Sequence, residues 1–327
     1  MKSISIVLAT TLVAGALSTA AIAADTITIQ VGYGAGGGYD GRARLVADHL
    51  GKYLPGNPDI VVENIPGSGS FKLTTLLAGK GPTDGSVIGV VASSISQAPI
   101  FKPNNKTFDP TDFGWIAALR NSPSHCYVMK EAGIETFEEL IASDIKFGAS
   151  GKGSATYLYP ALIKNVFGAK FDIVTGYDGG AEINLAAQRG EIQGRCGFTI
   201  ASLERENMMD KVNVLVTLGS NSSDKMPDLP MIGDLIADPV DRAAAEYVFS
   251  VLGVYMPMIL PPNTSDEIIE TYREATRLMF MDEAFVADAA ARNLEIGFTD
   301  GATVQSIVNA MGDIDAVTAA RVAEVVR

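Results

Sequence analysis

The chain has 327 residues, with 38 acidic against 25 basic side chains and a formal charge of −13. The acidic excess and the lack of a basic cluster speak against nucleic acid as a partner, and the two His and two distant Cys do not compose a His/Cys metal site. The length exceeds what one compact core usually holds, so two domains are expected.

The N-terminus has the pattern of a leader. Lys2 precedes an apolar run from Ile4 to Leu17, and Ala21-Ile22-Ala23 reads as an A-x-A cleavage site. A signal peptide over residues 1–23 is expected, too short and wrongly flanked to span a membrane. Beyond it, Thr26–Val31 predicts a strand. Tyr39–Lys52 predicts a helix with Leu45, Val46 and Leu50 on its apolar side. Ile60–Asn64 predicts a second strand, followed by a Gly/Ser turn and a helix through Leu73, Leu76 and Leu77. Val87–Val91 and Trp115–Leu119 predict two more strands.

The breaker cluster Asn121-Ser122-Pro123-Ser124 marks a crossing into a second domain. There Cys126–Met129, Lys146–Ala149, Phe171–Val174 and Val212–Leu218 predict strands. Phe137–Ala142, Thr156–Phe167 and Ala181–Arg189 predict helices. The apolar run Val251–Leu260, ending in Pro261-Pro262, is read as the return crossing. Helices are expected over Asp266–Met279, Asp282–Asn293 and Thr303–Val326, packed back on the first domain. The alternation predicts α/β units around a largely parallel sheet. The first domain is discontinuous (24–121 and 252–327) and the second is inserted (122–251). After export, Cys126 and Cys196 are expected to form a disulfide, with two separate buried thiols as the alternative.

Three glycine-rich loops each follow a strand and open a helix. The first is Gly32-Tyr33-Gly34-Ala35-Gly36-Gly37-Gly38-Tyr39-Asp40, with Asp40 placed to order the helix start. The second is Gly148-Ala149-Ser150-Gly151-Lys152-Gly153-Ser154-Ala155-Thr156, with Ser154 as a candidate N-cap. The third is Gly176-Tyr177-Asp178-Gly179-Gly180-Ala181. Glycine lets a backbone approach a ligand closely, and the free N–H groups at a helix start suit a carboxylate. One such loop is weak evidence. Three, contributed by two domains, predict a cleft that holds an anion by main-chain donors, with no arginine required.

Other chemistries are weighed against this. Gly32, Gly34 and Gly37 satisfy G-x-G-x-x-G, with Glu63 near the ribose-binding position of a dinucleotide fold. The leader and the additional Gly36 and Gly38 count against that reading, and no cofactor is expected. The second loop lacks the G-K-[ST] ending of a phosphate loop and is not a G-x-S-x-G elbow. A hydrolase would need a His backed by an acid, and neither His49 nor His125 has an obvious nucleophile partner. Ser222-Ser223-Asp224-Lys225 fits S-x-x-K without supporting motifs, and Glu138/Glu139 reads as a solvated helix face.

The chain resembles the substrate-binding proteins of tripartite tricarboxylate transporters, the Bug family. The resemblance rests on Gly36-Gly37-x-x-Asp40-x-x-Ala43-Arg44, Val61-Val62-Glu63-Asn64-x-Pro66-Gly67-Ser68-Gly69, Asp84-Gly85, Gly148-Ala149-Ser150-Gly151-x-Gly153-Ser154 and Tyr177-x-Gly179-Gly180. It implies a two-domain, type II periplasmic-binding-protein fold and a monomeric periplasmic receptor, not an enzyme. Such a receptor hands a small carboxylate to integral membrane transporter subunits. A sensor for a signalling receptor and an exported α/β hydrolase are the alternatives. Carried over by position, the ligand contacts are Tyr33, Gly36, Gly37 and Asp40, then Ser150, Gly153, Ser154, Ala155 and Thr156, then Tyr177 and Gly180, with Ser93 or Ser94 also lining the cleft. Three departures leave the ligand open among dicarboxylates, tricarboxylates, aromatic acids and less charged solutes. They are Pro82-Thr83-Asp84-Gly85-Ser86 for Pro-Asp-Gly-Tyr-Thr, Tyr157-Leu158 for His-Leu, and Gly32-Tyr33 for Pro-Phe.

Overall fold

Strand β1 (Thr26–Val31) alternates polar and apolar residues, which puts Ile27, Ile29 and Val31 on one fully buried face. It pairs in parallel with β2 (Asp59–Asn64) on one side and β3 (Val87–Val90) on the other. Helices α1 (Gly38–Leu50), α2 (Phe71–Lys80) and the short α3 (Ala98–Phe101) fall between and after these strands, ahead of β4 (Gly114–Arg120). The computed structural model describes residues 25–104, 107–120 and 122–327. The leader expected over residues 1–23 lies outside the described residues.

The chain then builds a second sheet. Its elements are β5 (Ser124–Met129), α4 (Phe137–Ala142), β6 (Lys146–Ala149), α5 (Ala155–Phe167), β7 (Asp172–Thr175), α6 (Gly180–Gln188), β8 (Gly194–Phe198), α7 (Ile200–Arg205) and β9 (Val212–Leu218). Helices α8 (Ile232–Leu235) and α9 (Pro239–Phe249) follow, and β10 (Tyr255–Leu260) returns to the first sheet. The last elements are α10 (Asp266–Met281), α11 (Glu283–Ala291), β11 (Thr299–Asp300), α12 (Gly301–Ala310) and α13 (Ala316–Val325). The strand orders are β11-β4-β10-β3-β1-β2 and β7-β6-β8-β5-β9. Among the described residues no helix is long and apolar enough to cross a membrane.

Three expectations are corrected. The sheets are mixed, not largely parallel: β10 runs against both β3 and β4, and β5 against both β8 and β9. These two strands carry the chain between sheets instead of completing a β-α-β unit, so no crossover helix imposes a parallel direction on them. The helix expected over 303–326 is two helices. Gly312 and Asp313 interrupt it, and the Asp315 carboxylate accepts the N–H groups of Val317 and Thr318, both at 3.0 Å, to start α13. While α10 and α12 cover β4, α13 lies across α9 and α5, where Asn165 Nδ2 donates to Val325 O at 3.0 Å. Strand β8 was not expected at all.

The disulfide between Cys126 and Cys196 is present. The two residues are cross-strand partners in β5 and β8, with Cα atoms 4.0 Å apart.

Candidate functional site

Helices α1, α5 and α6 begin at the three glycine-rich loops. Their N-caps are Gly37, Ser154 and Gly179, and none offers a side-chain oxygen to the first turn. By contrast α4, α7 and α9 to α13 are capped by Thr136, Thr199, Asp238, Ser265, Asp282, Asp300 and Asp315. A helix start leaves backbone N–H groups without an intrahelical partner, and a side-chain cap normally takes one of them. At α1, α5 and α6 those donors remain available to an anion, which the helix dipole favours as well. Ser154 holds the N-cap position as expected, but its hydroxyl turns away from the cap role. It bonds Gly151 O at 2.8 Å and Thr156 Oγ1 at 2.7 Å.

These starts converge. One cavity is lined by Tyr33 and Gly37 of the first loop, Ser150, Ser154, Ala155 and Thr156 of the second, and Gly180 of the third. Its volume is about 50 Å³, far below the several hundred Å³ of a typical small-molecule site. The small size follows from direct contact between the two halves. Gly34 N–H donates to Asp178 O at 2.9 Å, and the Ser94 hydroxyl donates to Gly153 O at 2.5 Å. Gly69, at φ +64°, sits so near the start of α5 that a Cβ there would lie 2.7 Å from Ser154 N. Loops of the two sheets therefore touch directly around the cavity.

Five of the predicted contact residues do other work. The Gly36 N–H, in a left-handed turn at φ +81°, donates to Asp40 Oδ2 at 2.9 Å. Asp40 also accepts from Arg44 Nε at 3.0 Å and Asn64 Nδ2 at 3.0 Å, and Asn64 Nδ2 reaches Tyr33 O at 2.9 Å. Asp40 thus ties the glycine loop to β2. Burial pushes its carboxyl up, but bonds from Arg44, the Gly36 N–H and Asn64, with the Arg44 charge, outweigh this and hold it below the usual carboxylate value. Gly153 is tight against Phe71, whose ring a Cβ would meet at 2.2 Å, and its carbonyl is taken by Ser94. Ser93 is buried but does not line the cavity. Tyr177 is half-buried beside Gly148, packed on the smaller of the two cores. Burial, then Glu191 and Glu182, raise its phenol pKa.

The cavity also contains residues that sequence reasoning missed. Tyr39 and Tyr255 join Tyr33 in an aromatic wall, with ring centroids 4.2 Å (Tyr33–Tyr39) and 5.9 Å (Tyr39–Tyr255) apart. Burial, then the neighbouring Tyr255, push the Tyr33 phenol pKa far up, so it stays protonated. Arg195, from the middle of β8, forms part of the floor with Glu206, and Arg42 lies at the first-loop side. The expectation that main-chain donors need no arginine did not anticipate Arg42 and Arg195 in this lining. The reason is β8 itself: its Gly-rich sequence shows no strand periodicity, so nothing marked Arg195 as inward-facing.

A larger cavity of about 470 Å³ opens between Pro123, Gly219, Met231, Arg242 and Gly253. Two helices border it: α9 is capped by Asp238, which accepts from Val240 and Asp241 N–H at 2.8 and 3.0 Å, and the four-residue α8 starts without a side-chain cap at Met231. We place the site at the smaller cavity because three uncapped helix starts, from loops of both sheets, meet there. His49 lies outside both, bonded through Nε2 to Asp288 Oδ2 at 2.9 Å. His125 borders a third cavity with Ser222 to Lys225, where Lys225 pairs with Glu204.

Two α/β sheets whose helix starts meet across one cleft define a two-lobed binding protein. The sequence profile of the tripartite tricarboxylate transporter family receptor matches residues 42–309, and the chain belongs to that family. A Cupriavidus necator protein, described as a UPF0065 protein in the gbd 5′ region, is 26% identical over 256 residues, covering 76% of this chain and 74% of its own. The structure of the periplasmic binding protein BugD superposes with a TM-score of 0.73 at 19% identity, over 92% of this chain and 97% of that one. MatC from Rhodopseudomonas palustris, solved with bound malate, gives a TM-score of 0.70 at 19% identity, over 92% and 99%. At these identities the two structures show the fold, and it is the α/β periplasmic-binding-protein class expected from the sequence. Receptors of this family are periplasmic, and the family is one of substrate-binding proteins, not of enzymes.

Proposed function

We propose that this protein is an exported periplasmic receptor that closes on a small carboxylate and presents it to the integral membrane subunits of a tripartite tricarboxylate-type transporter. The observation that carries the reading is the convergence of three helix starts without side-chain caps on one cavity between the sheets. Each main-chain N–H bond to a carboxylate contributes about 1.5–3 kcal/mol, so a few of them suffice for micromolar binding without catalysis. That MatC was solved with malate supports a carboxylate as the kind of ligand. The ligand contacts on this reading are Tyr33, Gly37, Ser150, Ser154, Ala155, Thr156 and Gly180, with Gly36, Asp40, Gly153 and Ser94 holding the loops and Tyr177 buttressing the third. The lobes are residues 24–121 with 252–327, and residues 122–251, hinged at the two crossings, and ligand shifts them toward closure.

Isothermal calorimetry with acetate, benzoate, succinate, malate, adipate and citrate tests the proposal. Saturable one-to-one binding of at least one of them is expected. Its absence across the panel, in protein freed of retained ligand by unfolding and refolding, would overturn it.

A further inference from the structure

Arg195 is 7% exposed, yet all its hydrogen bonds go to neutral oxygens. Nη1 donates to Gly180 O at 3.1 Å and Asn184 Oδ1 at 2.9 Å, and Nη2 donates weakly to Gly197 O at 3.5 Å. Nε is buried and has no partner. Among the described residues no carboxylate pairs with this guanidinium. The nearest acid in its network is Glu206, one step away, which accepts from Asn184 Nδ2 and pairs with Arg205 at 3.1 Å. Burying an unpaired cation is costly, and a guanidinium kept this way needs an anion from elsewhere.

The orientation says where the anion goes. Nη1 has both hydrogens committed and Nη2 gives one weakly, so the edge with unfilled donor capacity is the one formed by the buried Nε and Nη2. Their N–H bonds run parallel, the geometry that receives both oxygens of a carboxylate. The guanidinium lies against the first residue of α6: a Cβ on Gly180 would come within 2.3 Å of Nη2. The arginine fork and the uncapped N-terminus of α6 therefore share one corner of the cavity.

We propose that Arg195 is a specificity-determining anchor, its Nε/Nη2 edge gripping a carboxylate of the solute at the start of α6. The assignment rests on the carboxylate reading above and sharpens it. The site selects a full negative charge with two coplanar oxygens, not merely an acceptor. An acid is bound and its neutral amide is refused. Gly180 serves the arginine by leaving room for it.

The test is calorimetry on wild type, Arg195→Gln, Arg195→Lys and Gly180→Ala, using the tightest-binding acid of the panel and its amide (succinate with succinamide, benzoate with benzamide). Thermal melts verify folding. Arg195→Gln should weaken the acid by about 100-fold, two charge-assisted bonds being lost. Arg195→Lys, which keeps the charge without the fork, should weaken it by about tenfold or more. Gly180→Ala, folded but with the guanidinium displaced, should fall between them. Should Arg195→Gln fail to fold, the Lys and Gly180 variants carry the comparison. Acid binding kept within about threefold in the folded variants, or equal affinity of wild type for acid and amide, would make Arg195 a structural brace and overturn its role while leaving the receptor reading intact. Failure of wild type to bind any acid would overturn that reading first, and this one with it.

Discussion

The hydroxyl of Ser94 offers a clean way to separate closing from gripping. Its 2.5 Å bond to Gly153 O joins the two halves of the molecule, and Ser94 is buried. In Ser94→Ala the bond is lost and the Gly153 carbonyl keeps a buried, poorly satisfied lone pair, a cost of about 1–3 kcal/mol. Only the closed form bears that cost, because opening returns the carbonyl to water. Apparent affinity is the intrinsic affinity scaled by the population of the competent form, so a loss of about 1.5 kcal/mol weakens binding about tenfold. The factor should be the same for every carboxylate bound, since the hydroxyl touches loop and not ligand. Calorimetry against several acids measures it, and small-angle scattering of the ligand-free protein should show a larger radius of gyration. Affinities within about twofold of wild type would refute the clasp. A loss that varies strongly from acid to acid would return Ser94 to the list of direct contacts.

Other expectations follow from the same geometry. Gly69→Ala forces a side chain into left-handed backbone, costing about 1–2 kcal/mol, and sets its Cβ 2.7 Å from Ser154 N; it should weaken binding and expand the ligand-free form, and unchanged scattering would contradict this. The disulfide closes a separation of 70 residues, so reduction should lower unfolding free energy by up to about 4 kcal/mol in a urea titration; an unmoved midpoint would count against it. The carboxyl of Asp40 is held below its usual value, so its contribution is complete above the unfolded value of about 3.9 and is lost as pH falls through the lower folded value. The gap in melting temperature between wild type and Asp40→Asn should therefore be full at neutral pH and shrink only in strong acid; a gap that closes already near pH 6 would be wrong for this carboxylate. His49→Ala and His125→Ala should retain carboxylate binding, as both residues lie outside the cavity; loss of binding in a folded variant would reopen the enzymatic alternative.

Strands whose side chains alternate or are branched, such as β1, β2 and β9, could be read directly, because burial of one or both faces writes itself into the residue pattern. Glycine density likewise announced the three loops. Strand β8 was silent for a physical reason: Gly194 is squeezed by Phe147, and Gly197, at φ +80°, lies against the start of α5. Close approach there demands glycine and removes the apolar signature. Arg195, between Gly194 and Cys196, therefore looked like surface. Which loop residues line the cavity was also hidden, because it depends on closure: Ser94 and Gly153 use their polar atoms on each other. The break before α13 was visible in principle, since Gly312, Asp313 and Asp315 supply both a stop and a cap, but the apolar periodicity running through them outweighed it.

A crystal structure of the protein grown with its tightest-binding carboxylate tests the central idea most directly. The carboxylate should lie between the helix starts, its oxygens within hydrogen-bond reach of the backbone N–H groups around Gly37, Ala155 and Gly180. Density for it in the larger cavity between Gly219 and Gly253, with the three loops left uncontacted, would contradict the account.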